Sequence, residues 1–561
     1  MQNLIFKDKT HIPFIKSGTG LVRKQFIVML IIYFLTGISS AAQNPALPYF
    51  KQQGSAIQLY INEKPFFMRA GELGNSSASS LEYLRPFWPH MVEMHVNTIL
   101  CPVYWELIEP QKDKFDFTLV DGIIQDAGKN NIKLVFLWFG SWKNSMSCYA
   151  PYWVKNDSKR FPRARSKNGV PQEILTPFNQ NNLHADIKAF TALMRHIREV
   201  DSIKQTVIMI QVENEIGMLP DARDYCKSAN KAFNENVPPE LLAYLIQYKK
   251  QLMPELYEVW EVNGFKAEGN WEEIFGCSLA TDELFMAWYY AQYTDQVTQA
   301  GKQEYNLPMY VNAALIRPGY QPGQYPSAGP LPHLKDIWHA GAPHLDFLAP
   351  DIYFKTFAEW LGKYDIPGNA VFIPEVGNDQ SIANAFYAVG KHNAIGYSPF
   401  SIESITGDEN NKLPQGYELL RQLEPLFLAH QGLGTMNAVL LDSASQSDTI
   451  ELGDYRFIFK HEYSWRYAAR TSGEKPRFGG LIIMLGPDEF IIAGSGLVVT
   501  FETRANDGTL AGIGSLDEME LTDGTLKFGR RMNGDQSHQG RHMHLPGNTF
   551  SMQRVMLYKY K

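Results

Sequence analysis

Eight short apolar runs recur between residues 65 and 403, each separated from the next by a longer, more polar stretch, and this alternation constrains the fold more than any other feature. The runs are PFFMRAGEL (65–73), VNTILCPVYW (96–105), IKLVFLWFG (132–140), TVIMIQVENE (206–215), LPMYVNAAL (307–315), LDFLAPDIYF (345–354), AVFIPEVG (370–377) and AIGYSPFSIE (394–403). Between them lie helix-like segments such as 118–131, 181–200 and 282–303. Near-continuous aliphatic runs fit strands buried on both faces, the signature of a parallel sheet covered by helices. Eight strand-and-helix units predict an α/β fold, a (β/α)8 TIM barrel, in which chemistry sits at the carboxyl ends of the strands. The stretch 218–306 between the fourth and fifth runs is longer than an ordinary connection. It is expected to form a wall over the active-site face, with Trp260 and Trp271 read as its own core.

After residue 430 the texture changes to short alternating runs with Gly and Asp turns, including DYRFIFKH, GGLIIMLG and FSMQRVMLYKY, which predicts a smaller, sandwich-like all-β domain over 431–561. The barrel then occupies 44–430. Residues 1–43 read as an export signal: Arg23 and Lys24, the apolar run 26–40, and small residues Ala41 and Ala42. This implies a periplasmic or extracellular protein whose membrane contact is confined to that signal. With a net charge of −7 and no basic cluster, nucleic acid is excluded as a partner. Cys101, Cys148, Cys226 and Cys277 lack C-x-x-C spacing, which argues against zinc and redox motifs, and their disulfide pairing cannot be read from the sequence.

The fourth run ends in QVENEIG (211–217). Charge at the end of a buried strand is tolerated only if it is solvated in a cleft or held by partners, so these glutamates are either structural or catalytic. The seventh run settles the choice, because it too ends in a carboxylate, Glu375. Two carboxyls from strands four and seven in one barrel mouth are what retaining glycoside hydrolysis requires: a nucleophile, and an acid that becomes the base. Other strand-end residues are candidates for binding sugar: Glu72 and Asn75 after strand one, Tyr104 on strand two, Trp142 (stacking) and Asn144 (hydrogen bonding) after strand three, and Asn312, Tyr353 and Glu403 after strands five, six and eight. A Tyr353 phenol beside Glu375 could orient it, while Asp351 is expected to pair with a barrel cation. No Gly-rich phosphate loop and no G-x-S-x-G elbow occurs, which removes phosphoryl transfer and serine-hydrolase chemistry.

VIMIQVENEIG resembles the signature of glycoside hydrolase family 35, within clan A, whose usual activity is β-galactosidase. WELIEPQKDKFDF (105–117) and PYWV (151–154) are similar to further segments of that family, and the resemblance covers roughly residues 55–405, as in the bacterial branch with an appended β domain. It implies that Glu215 is the acid/base, Glu375 the nucleophile, Asn214 a donor to the sugar 2-hydroxyl and Glu213 a supporting carboxylate. It also implies an exo-acting enzyme that takes terminal β-galactosyl groups from plant or other polysaccharide side chains and needs no cofactor. The chain departs from the family at Glu106 and Ile108, at GSWKNSM (140–146) and at SPFSIES (398–404). The alternatives are a clan A β-glycosidase or endo-glycanase for another sugar, or a non-catalytic glycan-binding barrel. His538, His542 and His544 are read as surface histidines, with no metal site assigned.

Overall fold

In the computed structural model, which describes residues 45–377, 381–405, 412–463, 476–522 and 525–561, all eight runs become strands of one closed parallel barrel. The strands are β1 (Met68–Glu72), β2 (Thr98–Tyr104), β3 (Lys133–Lys143), β4 (Val207–Asn214), β5 (Met309–Ala314), β6 (Phe347–Ile352), β7 (Phe372–Val376) and β8 (Gly396–Pro399). They pair in chain order, and β8 closes on β1 through Gly396 opposite Met68. Every residue of β4 is buried, as its unbroken aliphatic run requires. The expected export signal lies outside the described residues. No helix among the described residues is long and apolar enough to cross a membrane.

Eight helices follow the strands: α1 (Trp88–Glu93), α2 (Thr118–Lys129), α3 (Gln180–Asp201), α4 (Leu279–Glu304), α5 (Lys335–Gly341), α6 (Phe357–Gly362), α7 (Ala383–His392) and α8 (Leu413–His430). Side-chain caps fix the starts of the two longest. Asn179 accepts from the amides of Asn181 and Asn182 before α3, and Ser278 accepts from Thr281 before α4. The segment 218–306 therefore contains barrel helix α4, and the true insertion is 218–278, with short helices at Lys227–Phe233, Pro239–Gln247, Pro254–Val262 and Trp271–Phe275. The second of these helices stops at Gln247, and the third begins at Pro254, whose missing N–H is tolerated in a first turn. Trp260 and Trp271 are buried and form the insertion's core.

The C-terminal strands are β9 (Met436–Leu441), β10 (Ser447–Leu452), β11 (Tyr455–His461), β12 (Phe478–Gly486), β13 (Glu489–Ser495), β14 (Leu497–Thr503), β15 (Leu510–Thr522), β16 (Thr525–Arg531), β17 (Met543–Leu545) and β18 (Ser551–Tyr560). They form two antiparallel sheets, ordered β9-β12-β13-β18-β15-β16 and β10-β11-β14-β17. Ile482, Phe490 and Ile492 face the second sheet, in a core with Phe457 and Val499. Their neighbours Leu481, Ile483, Ile491 and Ala493 join the core of the barrel. The large sheet is thus buried on both faces at β12 and β13, and α7 lies directly on it: a Cβ added at Gly390 would come within 2.6 Å of the Ala438 Cβ.

Candidate active site

The end of β4 does not continue the pleat. Glu213 and Glu215 take positive φ, 63° and 44°, a region that costs a non-glycine residue of order 1 kcal/mol or more and persists only when its surroundings hold it. Here they do. The Glu215 amide donates to Asn312 Oδ1 at 2.9 Å, and its carbonyl accepts from Ser145 Oγ at 2.9 Å. Glu213 accepts from the amides of Ser141 (3.1 Å) and Trp142 (2.8 Å), which binds the end of β3 to that of β4. Gly140 permits this approach, since a Cβ there would lie 2.8 Å from Glu213 Oε1. Burial and then the charge of Asp186 push the Glu213 carboxyl well above its usual range. Asp186 is itself held by Trp138 Nε1 (2.9 Å) and the Tyr293 hydroxyl (3.1 Å), so this carboxyl pair supports the strand ends from below.

Above it, one carboxylate oxygen each from Glu215, Asp351 and Glu375 lie within 4.8 Å of one another, and all three residues are buried. The Tyr353 hydroxyl donates to Glu375 Oε1, while Glu375 Oε2 is buried without a protein partner. Burial, followed by the charge of Glu215, pushes Glu375 up to about 7, against the opposing pull of Lys143 and Tyr353. Glu72 adjoins Glu375 without a hydrogen bond of ordinary geometry, and both its oxygens are buried and unpartnered. Burial first and Glu375 second raise Glu72 well above the carboxylate range; burial, Glu375 and Glu215 do the same to Asp351. Burial and the neighbouring carboxylates thus favour the neutral forms of Glu72 and Asp351, and buried Lys143 pulls in the opposite direction on all three carboxyls. Among the described residues, Glu215, Asp351 and Glu375 form the one group that could hold a metal ion, at a place where Lys143 already supplies positive charge.

Glu215, Asp351 and Tyr353 line a cleft of about 440 Å³ together with Asn144, Leu219, Arg317, Tyr320, Tyr325 and Phe354. Its far wall comes chiefly from the loop after β5, around residues 315–326. Of the insertion that was expected to form the wall, only Leu219 contributes. The insertion's aromatics pack inward instead, Trp260 on Phe265 and Trp271 on Phe285 of α4.

The strand-end candidates divide. Asn214 and Asn144 stand at the site: Asn144 Nδ2 donates to Glu215 Oε2, and Asn214 Nδ2 is buried without a protein partner. Asn75 keeps a buried, unpartnered Oδ1. Trp142 is a correction. It is 0% exposed, with its indole N–H on Leu175 O at 3.0 Å and its ring edge-to-face with Tyr290 and Tyr293, so no face is left for a sugar. The Tyr104 hydroxyl is engaged by the Asn75 carbonyl at 2.9 Å. Asn312 uses its oxygen on the Glu215 amide and its Nδ2 on Asp351 Oδ2 at 2.6 Å, which makes it a positioning residue rather than a sugar contact. Glu403 accepts from Gly74 N (2.9 Å) and Ser77 Oγ, and so fastens the loop after β1. Asp351 takes Asn312 as its hydrogen-bond donor in place of the expected cation partner. Lys143 and Tyr310, whose buried hydroxyl has no protein partner beside the carboxyls, were not signalled by the sequence.

Elsewhere, His542 is buried rather than a surface residue, and His544 Nε2 bonds Glu462 Oε1 at 2.7 Å, a partner 82 residues away in sequence. All four cysteines are free thiols.

A (β/α)8 barrel whose fourth and seventh strands bring carboxylate oxygens of two glutamates within 4.8 Å of each other, and whose residues 88–275 match a glycoside hydrolase model, defines a class: the barrel is a glycoside hydrolase domain. Comparison with known proteins narrows this. Residues 88–275 match the model of glycoside hydrolase family 42, described as a beta-galactosidase, and residues 413–544 match DUF5597, described as a domain of unknown function. Over residues 88–275 the barrel is thus β-galactosidase-like. No curated protein matches the chain. Among solved structures, it is similar to the β-galactosidase of psychrophilic Marinomonas ef1 (TM-score 0.43, 11% identity, 65% of this chain and 60% of that one). It is also similar to the β-galactosidase of Bacillus circulans sp. alkalophilus (0.42, 15%, 64% and 56%) and to the catalytic domain of Paenibacillus polymyxa β-amylase (0.43, 13%, 61% and 95%). The chain spans 60% and 56% of the length of the two galactosidases.

Proposed function

We propose that the protein is an exported, retaining, exo-acting β-galactosidase that removes terminal galactosyl groups from oligo- or polysaccharides. The observation that carries the reading is the approach of Glu215 and Glu375, whose nearest carboxylate oxygens lie within 4.8 Å. An inverting pair stands about 6.5 to 9.5 Å apart to admit a water, whereas a retaining pair closes to about 5 to 5.5 Å so that one carboxylate can attack carbon.

In the first step Glu375 Oε2, the oxygen free of Tyr353, attacks the anomeric carbon while Glu215 gives its proton to the departing glycosidic oxygen. In the second, Glu215 takes a proton from water, which attacks the same carbon and releases Glu375. Asn144 holds the Glu215 carboxyl at the cleft surface throughout. The galactose preference rests on the family 42 match, and the export on the pattern of residues 23–42.

A panel of aryl β-glycosides tests the proposal. The β-galactoside should be the best substrate, and the β-anomer of galactose should be the first product by NMR. From a galactosylated oligosaccharide, free galactose should be the sole early product. A faster glucoside or early internal fragments would reject the galactosidase reading, and an α-anomer would reject the retaining one.

A further inference from the structure

Asn214 and Lys143 are joined by a contact that the proposed mechanism leaves unused. Lys143 ends β3, and it reaches the barrel interior through a bulge. Trp138 pairs with Val212 and Lys143 with Asn214, so five residue steps on β3 pass against two on β4 and three residues are looped out. Such bulges re-aim a side chain beside a site. The result is a lysine only 3% exposed, whose Nζ lies 2.7 Å from Asn214 Oδ1 and 4.9 Å from the Phe139 ring centroid.

An ammonium has three donors and no acceptor, so it can meet a carboxamide only at the oxygen. The Asn214 amide is thereby fixed one way round, with its Nδ2 left over. That nitrogen is buried and has no protein partner, on the residue next in sequence to Glu215. A buried donor without a partner is destabilising unless a ligand acceptor completes it.

We infer that Lys143 is a positioning residue that locks the Asn214 carboxamide so that only its N–H donor faces the substrate, at the hydroxyl beside the anomeric carbon. The inference rests on the reading of the site as a glycosidase but not on which sugar it takes. Without Lys143 the amide can turn over and present its oxygen, and the 2-hydroxyl loses its fixed donor. Hydrogen bonds to this hydroxyl strengthen as the oxocarbenium-like transition state forms, so the loss falls on kcat/KM for substrates that carry it.

The test compares whichever aryl β-glycoside the wild-type enzyme turns over fastest with its 2-deoxy counterpart. In the wild type the 2-hydroxyl should favour kcat/KM by about a hundredfold or more. In Lys143→Met, whose side chain is apolar and of similar length, that advantage should shrink to about tenfold or less. Added propylammonium should restore it in Lys143→Ala, which lacks the three carbons and nitrogen that this amine supplies. The alanine variant also serves if the methionine variant does not fold. An unchanged ratio of the two substrates in a folded variant overturns the inference while leaving the glycosidase reading intact. A best substrate other than the galactoside overturns only the galactose preference, since the 2-hydroxyl comparison then proceeds on that sugar.

Discussion

Replacing Tyr353 with Phe should move the acid limb of the pH–rate profile upward. The phenol donates to Glu375 Oε1 and, with Lys143 and Glu72, pulls the nucleophile down from where burial and Glu215 put it. A hydrogen bond to a charged group contributes about 1.5 to 3 kcal/mol, and about 1.4 kcal/mol corresponds to one pH unit. Tyr353 is 44% exposed, so water can reach the vacated position and the lower end applies, a rise of roughly one unit from the present value of about 7. The nucleophile works ionised. Raising its pKa therefore removes activity from the acid side and spares the alkaline side. With a dinitrophenyl galactoside, whose departure needs no proton, kcat/KM of the variant at pH 6 should fall about tenfold below wild type, and the two should converge above pH 9. Because Glu72, Glu215, Asp351 and Glu375 interact, the measured limb belongs to the cluster, but its displacement still reports the lost bond. An acid limb that stays in place, or a loss equal at every pH, would refute the claim that Tyr353 tunes Glu375.

Glu215→Ala should slow a glycoside with a poor leaving group about a hundredfold or more, and a dinitrophenyl glycoside far less, with added azide giving a β-glycosyl azide; equal losses without rescue would exclude the acid/base role. An activated 2-fluoro galactoside should leave its adduct on Glu375, and a label found by mass spectrometry on Glu213 or Glu215 would reverse the assignment. Trp142→Ala should lower unfolding stability by about 3 to 5 kcal/mol with KM little changed in the folded fraction, because the ring is core packing against Tyr290 and Tyr293; a raised KM at unchanged melting temperature would return it to the sugar.

The barrel was legible in the sequence because its cause is local. A strand buried on both faces must be apolar throughout, and eight such runs separated by helices allow few other closures. Glu215 and Glu375 were legible for the same reason: a carboxylate that ends an aliphatic run stands out against its surroundings. What sequence could not decide was where side chains point once the regular pleat fails. Positive φ at Glu213 and Glu215 and three looped-out residues in β3 break the alternation by which a facing would be counted, so Trp142 was assigned to the sugar and Lys143 passed unnoticed. Glu403 and Asn312 were misread differently, because their partners Gly74, Ser77, Glu215 and Asp351 are distant in sequence and meet only when the barrel closes. The same holds for the accessory domain. Its composition announced a β-fold, but the continuous apolar runs of β12 and β13 acquire their meaning only from α7, which covers the face that an isolated sandwich would turn to water. Apolar pattern is written residue by residue, whereas the direction of a polar group depends on what stands across from it, and only the folded chain supplies that.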